Sequence, residues 1–227
     1  MNSGRRKAAF WINAVAALGL GIAATPAGGE TPGQSAGSVA VAFESYGAVF
    51  SKETRQSVAI DPHVFIQVVG GLSSIGPDGI AHAAGLAPAP LEDPPNSPLY
   101  AADRRPLHIT LGRWLAARGT ATIVPFGNGR GRVTTSFKYL VAQGSYSLFQ
   151  VTRNRDRSTA APLDGAGSAN NLLAMPDGTG SLTVTAPVAP PRGQAIVLVY
   201  HSDNMPHAML QGVPGLTAHY QLVARPR

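Results

Sequence analysis

The sequence predicts an all-β protein, either an antiparallel β-sandwich or a partly open barrel, with one short helix and a proline-, alanine- and glycine-rich excursion. Short runs of apolar, β-branched and aromatic residues recur along the chain, and clusters of glycine, proline, asparagine and aspartate separate them. Eight or so short strands divided by turns are typical of sandwiches and barrels. Size agrees with this class, since the roughly 200 residues that follow a predicted export signal are enough to bury a core.

The first 27 residues predict export. Basic residues at 5–7 precede a mostly apolar run at 8–24 and a small-residue stretch at 25–27, which is the order of a secretory signal peptide. We expect cleavage after Ala27 and a periplasmic or extracellular location. The apolar run is shorter than the roughly 20 residues that span a bilayer, so a permanent membrane anchor is disfavoured. The basic pair at 5–6 leaves twin-arginine export open beside the general secretory route.

Composition excludes several classes of site. The chain has no cysteine, so it forms no disulfide, thiolate metal site, catalytic thiol or lipid-bearing cysteine. Loss of the signal peptide would remove three of 18 basic residues and none of the 12 acidic ones, which lowers the formal net charge from +6 to +3.

The remaining positive charge is concentrated in one part of the chain, which predicts an anionic partner. For an exported protein we expect an acidic polysaccharide, lipopolysaccharide or anionic lipid at this arginine-rich face, and no nucleic acid. The last three arginines alternate, so in an extended segment they would share one side; they either grip a polyanion or protect an edge strand from pairing. The basic residues are Arg104, Arg105, Arg113, Arg118, Arg130, Arg132, Lys138, Arg153, Arg155 and Arg157, against Asp103 and Asp156.

The predicted organisation is a flexible tract at 28–38 followed by a single β-sandwich domain at 39–227. In its first part we expect strands at 39–43, 58–60 and 63–69. Seven prolines fall within residues 76–106, and this density predicts that the segment holds no buried element. It is either a linker between two small domains or a long surface loop of one domain; we favour the loop, because the part before it has too few strands to close a core.

The β pattern is clearest in the second half. Asn128-Gly129 favours the positive φ angles of a hairpin turn; the surrounding glycines resemble a phosphate-binding loop in composition, but they lead into a strand and not a helix. Pro176-Asp177-Gly178 predicts a second hairpin. The run at 195–200 is continuously apolar, which predicts a central strand buried on both faces. We expect one short helical turn at 109–117 that places Trp114 on the core, and strands at 120–126, 132–137, 146–152, 171–175, 181–186, 195–200 and 218–223.

A stretch at 200–209, with the sequence YHSDNMPHAM, is the strongest candidate for a site. It follows the predicted central strand, and loops at strand ends commonly carry function. The hypothesis is a zinc or copper site formed by imidazoles of His201, His207 and His219 with oxygen from Asp203 or thioether sulfur from Met205 and Met209. His207-Ala208-Met209 is similar to the His-x-Met element of periplasmic copper carriers, although the upstream ligands of that family have no counterpart here.

The same stretch has a structural interpretation. Ser, Asp and Asn side chains satisfy free backbone donors in a turn, and the methionines can cover the end of a core. A Gly-x-Ser-x-Gly pattern occurs at residues 33–37, but it lies in the predicted flexible tract and does not follow a predicted strand, so it does not indicate a nucleophile elbow. The sequence contains no His-Glu-x-x-His motif and no His-x-His pair. We therefore expect non-catalytic binding or an envelope-structural role, with metal binding as the alternative and an enzyme that uses the same histidines as a third hypothesis.

Overall fold

The computed structural model describes residues 37–153 and 158–226, so the predicted signal peptide and most of the tract at 28–38 lie outside the described residues. In chain order the elements are β1 (Val39–Ser45), α1 (Tyr46–Thr54), β2 (Ile60–Gln67), β3 (Ser74–Ile75), β4 (Ala81–His82), β5 (Leu86–Pro90), β6 (Pro98–Tyr100), β7 (Pro106–Thr110), α2 (Leu111–Leu115), β8 (Arg118–Phe126), β9 (Arg130–Lys138), β10 (Ser145–Arg153), β11 (Ser158–Pro162), β12 (Asn171–Leu173), β13 (Gly180–Ala186), β14 (Ala195–His201) and β15 (Ala218–Ala224).

The predicted fold class is confirmed: the protein is mostly β and its sheets are antiparallel. A nine-stranded sheet has the order β11-β10-β14-β15-β1-β8-β9-β13, with β12 paired to β10, and it curls into a half-barrel. A second, four-stranded sheet has the order β5-β2-β6-β7. Side chains from both sheets form one apolar core, in which Leu148 and Leu198 of the large sheet lie with Leu99 of the small one. Neither described helix is long and apolar enough to cross a membrane.

The strand predicted to be central is central. Strand β14 pairs with β10 on one side and β15 on the other, and all seven of its residues are buried. Its inner face, defined here as the face toward the main core, carries Leu198 and Tyr200. Its outer face carries Val197 and Val199, which pack in a second apolar cluster with residues of α1.

The proline-rich segment differs from the prediction that it holds no buried element. Strands β5, β6 and β7 all arise from it or border it, and Leu86, Ala89 and Leu99 are buried. The prolines are accommodated because Pro88 and Pro90 lie in β5, an edge strand of the small sheet. An edge strand has backbone N–H groups that need no partner, so proline costs it little.

The structure confirms the predicted hairpin at Asn128-Gly129 and corrects the one predicted at Pro176-Asp177-Gly178. Asn128 and Gly129 have φ angles of 65° and 73°, and β8 pairs with β9 along its whole length, as predicted. The turn at 175–178 also forms, since the N–H of Gly178 donates to the carbonyl of Met175 at 2.9 Å. The strands beside it do not pair with each other as a hairpin, however, because β12 pairs with β10 and β13 with β9.

The two helices differ in how well the sequence indicates them. The short helix α2 places Trp114 in the core at 1% exposure, as predicted. Helix α1 is not predicted, since its sequence YGAVFSKET holds glycine, aromatic and β-branched residues of weak helix propensity. Packing against β2 explains it: a Cβ at Gly47 would lie 2.9 Å from the Cα of Asp61, and the Ser51 hydroxyl donates to the carbonyl of Ile60 at 3.0 Å.

Candidate binding sites

The histidine loop, residues 201–217, begins at the end of β14 and returns at the start of β15. Its base is closed by two hydrogen bonds, from the N–H of Ser202 to the carbonyl of Thr217 at 3.0 Å and from the Ser202 hydroxyl to the carbonyl of Leu216 at 2.9 Å. Asn204 and Ala208 adopt positive φ angles of 58° and 51°. The loop is therefore folded back on itself by tight turns.

Three of the predicted ligands lie together in this loop. His207 Nε2 lies 2.9 Å from Asp203 Oδ2, and the ring centroids of His201 and His207 are 5.1 Å apart. His201 is 1% exposed, and its Nδ1 is buried without a hydrogen-bond partner among the described residues. Burial, with His207 close by, lowers the pKa of His201 to about 4, so the imidazole is neutral at neutral pH.

His219 lies apart from these residues. Strand pairing sets Tyr200 beside His219 and His201 beside Ala218, and neighbouring residues of a strand point to opposite faces. His219 therefore shares the inner face with Tyr200, while His201 points outward. His219 Nδ1 donates to the carbonyl of His63 at 2.7 Å, and Nε2 lies 3.0 Å from the Ser202 hydroxyl. Burial lowers the pKa of His219 to about 4.

The two predicted thioether ligands, Met205 and Met209, lie at the surface, where they are 59% and 55% exposed. In the part of the chain that the structure describes, no group of three or more His, Asp or Glu side chains is arranged to hold a metal ion. The geometry thus brings together His201, Asp203 and His207 but separates His219 from them, and metal binding by this loop stays a prediction.

A serine beside His201 bears on the enzyme hypothesis. His201 Nε2 lies 2.7 Å from Ser147 Oγ, and the Ser147 hydroxyl donates to Asn171 Oδ1 at 2.8 Å. Because that hydroxyl has one proton, His201 Nε2 is the donor in their contact. A nucleophilic serine must instead give its proton to the base, and it must reach substrate. Ser147 is 1% exposed, so the pair serves as a buried polar contact.

The arginines predicted to form a basic face are divided among several roles. Arg104 donates to the carbonyl of Ala84 at 2.8 Å, Arg105 to that of Leu216 at 2.6 Å, and Arg118 to that of Ala117 at 2.7 Å. Arg130 lies over the ring of Phe126, 5.4 Å from its centroid. Strand β10 ends at Arg153 and pairs with β11; the rest of the alternating row, Arg155 and Arg157, lies outside the described residues.

A cleft that sequence reasoning missed lies on the outer face of β14 and β15. It encloses about 350 Å³ between α1, the turn after β3, and the end of the histidine loop. Its floor is aliphatic, with Val151, Val197 and Val223 from three adjacent strands. We call it the aromatic cleft, because tyrosine and histidine rings form one of its ends.

The aromatic end is built around one carboxylate. Asp78 Oδ2 accepts a hydrogen bond from the Tyr46 hydroxyl at 3.0 Å and lies 3.1 Å from His63 Nε2. The His63 ring stacks on Tyr220, with centroids 4.2 Å apart and planes 14° apart, and Tyr46 stands perpendicular to both rings. Tyr220 in turn donates to Gln211 Oε1. These contacts hold the rings in fixed positions before any ligand arrives.

The phenols of this end are neutral donors. Burial, together with the Asp78 charge, raises the pKa of Tyr46 far above its usual range, and burial raises the pKa of Tyr220 to about 12. At the opposite end of the cleft Arg225 pairs with Glu53, with Nη2 2.8 Å from Oε2. The cleft therefore has one aromatic end, one ion-paired end and an apolar floor.

No local sequence motif predicts this cleft. The residues of its aromatic end come from a helix, a strand, a turn and the last strand, and they meet because α1 and β2 pack against β15: Tyr46, His63, Asp78 and Tyr220. One signal was present in the sequence: His63 is a histidine inside an apolar strand pattern. Comparison with models of known protein families and with curated protein sequences finds no match to this chain.

Proposed function

We propose that the chain is an exported, non-catalytic binding protein that takes a small organic ligand in the aromatic cleft. The observation that carries the proposal is the cleft itself, whose volume of about 350 Å³ lies within the range of small-molecule sites. The order of basic, apolar and small residues before position 28 supports export. We infer that the mature chain starts at Gly28 and works outside the cytoplasm.

The composition of the cleft supports binding more than a structural role. Ligand sites combine an apolar lining with a few placed polar groups that orient the ligand, and here Val197 and Val223 form the floor while Asp78 and Gln211 stand at one end. The polar groups are already held by Tyr46, His63 and Tyr220. Such preorganisation lowers the entropic cost of binding.

A filled-cleft variant tests the proposal. We expect ring-containing fragments, screened by saturation-transfer NMR against residues 28–227, to bind the wild type and compete with one another. Ala160→Phe adds a ring to a side chain that lines the cleft and should abolish these signals. Thr183→Phe adds the same ring on the exposed face of β13 and should leave them unchanged. A screen without hits, or hits that persist equally in Ala160→Phe, would contradict small-ligand binding at this place.

Metal binding is the second candidate, and the buried Nδ1 of His201, which has no hydrogen-bond partner within residues 37–153 and 158–226 and lies beside His207, favours it. Neutral imidazoles with a methionine thioether suit Cu(I), and Asp203 would suit zinc. We expect metal-stripped protein to bind Cu(I), Cu(II) or Zn(II) stoichiometrically and the His201→Ala/His207→Ala variant to lose this binding. His108→Asn, at an exposed position, is the control. Equal affinity of all three proteins would remove the loop as a metal site.

A further inference from the structure

The charge distribution within the aromatic cleft narrows the class of ligand. Charged groups line it at Asp78, Glu53 and Arg225. The two terminal nitrogens of Arg225, Nη1 and Nη2, contact the Glu53 carboxylate, so these two charges neutralise each other. Asp78 has no cationic Lys or Arg partner among the described residues, and its hydrogen bonds come from a phenol and an imidazole.

His63 contacts the Asp78 carboxylate through one ring nitrogen. Its ring is 2% exposed, and its Nδ1 is buried without a hydrogen-bond partner among the described residues. His63 therefore contacts Asp78 through Nε2 and makes no described hydrogen bond through Nδ1.

The second oxygen of Asp78 is available to a ligand. Both described hydrogen bonds to this carboxylate end on Oδ2, and the side chain is 27% exposed. The rings of Tyr46 and Tyr220 line the same end of the cleft, and the faces of aromatic rings attract cations. This end thus presents a carboxylate oxygen and two phenol rings next to an apolar floor.

We propose that the ligand is an organic ammonium compound whose apolar substituent lies on the valine floor and whose charged nitrogen lies against Asp78 Oδ1. This inference rests on the proposed function, because it names the chemistry of a ligand for the same cleft. An anionic ligand would need to displace Glu53 from Arg225 to find a positive partner. A neutral ligand would leave the Asp78 charge as it is.

An isosteric series tests the inference. We would titrate residues 28–227 with 4-phenylbutylamine, 4-phenyl-1-butanol and 4-phenylbutyrate by calorimetry, because the three differ mainly in the charge of one end. We expect the amine to bind about tenfold more tightly than the alcohol, and the acid to bind most weakly. Asp78→Asn keeps the shape and can still accept from Tyr46, so it should cost the amine about tenfold in affinity and leave the alcohol unchanged. Glu92→Gln, which removes an exposed charge outside the cleft, should change neither.

The outcomes separate this inference from the proposed function. Equal binding of all three compounds, all lost in Ala160→Phe, would overturn the ammonium preference and keep the cleft as a ligand site. Tighter binding of the acid would likewise overturn the preference, and it would point to Arg225. Binding of none of the three, together with an empty fragment screen, would overturn both proposals.

Discussion

The two halves of the nine-stranded sheet differ in what lies on their outer faces. Strands β10, β14 and β15 are covered on the outside by α1, and between them lies the second apolar cluster and the aromatic cleft. On β8, β9 and β13 the outer face is exposed and carries rows of hydroxyls, such as Thr122, Thr134 and Thr183 in register. The covered half carries the buried His201 and His219, whereas the open half has no histidine in its strands.

The apolar patterns of the strands reflect this difference between the covered and the open half of the sheet. Strand β14 reads AIVLVYH, a nearly continuous apolar run, while β9 reads RGRVTTSFK, with buried and exposed residues in strict alternation. Continuous apolarity therefore predicts that a strand is covered on both faces. It does not predict by what, because α1 owes its helix to contacts with β2 and β15 and little to its own propensity.

The largest expected effect is acid destabilisation through the covered half. The pKa values of His201 and His219 fall from 6.5 to about 4 on folding, so the unfolded chain binds more protons below pH 6.5. The contribution of these two histidines to the free energy of unfolding is therefore fully present above pH 6.5 and is lost as the pH falls from 6.5 to 4. Linkage predicts that each histidine lowers the free energy of unfolding by about 2 kcal/mol at pH 5 and by about 3 kcal/mol below pH 4. Urea unfolding at pH 7.5 and pH 5 measures it.

A single substitution at His219 separates its contribution to the pH dependence of stability from that of other titrating groups. Asp61 acts in the opposite direction, since burial raises its pKa and the folded state then holds its proton to higher pH. His219→Gln should lose about 2 kcal/mol of the pH 7.5-to-5 difference, while His108→Asn, at an exposed site, should keep it. An unchanged difference in His219→Gln would show that this imidazole is not buried in neutral form.

A matched pair of truncations compares the two outer faces directly. Phe149 belongs to the outer cluster of the covered half and is 1% exposed, so Phe149→Ala should lower the free energy of unfolding by about 3–5 kcal/mol. Thr134→Ala on the open face removes a hydroxyl that lies 3.3 Å from that of Thr183 and should cost less than about 1 kcal/mol. Urea unfolding at pH 7.5 checks both. Similar costs would mean that α1 does not cover its half of the sheet in solution.

Much of the fold can be predicted from the sequence, because the apolar pattern of a strand and the residues of a turn determine structure within a short segment. The hairpin at Asn128-Gly129 needs only two residues that accept positive φ. The prediction that the proline-rich segment holds no buried element is wrong because proline density does not indicate the position of a strand in its sheet. Pro88 is tolerated in β5 because β5 is an edge strand. Edge or centre is decided by the whole sheet and not by the segment.

The candidate sites were harder to predict, since they depend on register. Pairing of Tyr200 with His219 places His201 and His219 on opposite faces, and a slip of one residue would reverse which side chains meet. The sequence of the seventeen-residue histidine loop does not determine that register. The cleft requires more still, because Tyr46 and Asp78 meet only after α1 has docked on the sheet.

The smallest expected effect concerns the open half, where we propose that an anionic polysaccharide binds. Arg132 and Lys138 are exposed there, and strands β8, β9 and β13 carry no acidic residue. Arg132→Gln/Lys138→Gln should weaken binding of dextran sulfate about threefold at low salt and reduce the salt dependence of the affinity, because fewer cations contact the polymer. Lys52→Gln/Arg55→Gln removes the same charge from the end of α1 and its cap. If both variants weaken binding equally, net charge attracts the polymer and the open face has no special role; a loss confined to the first variant assigns the polymer to the open half, away from the aromatic cleft.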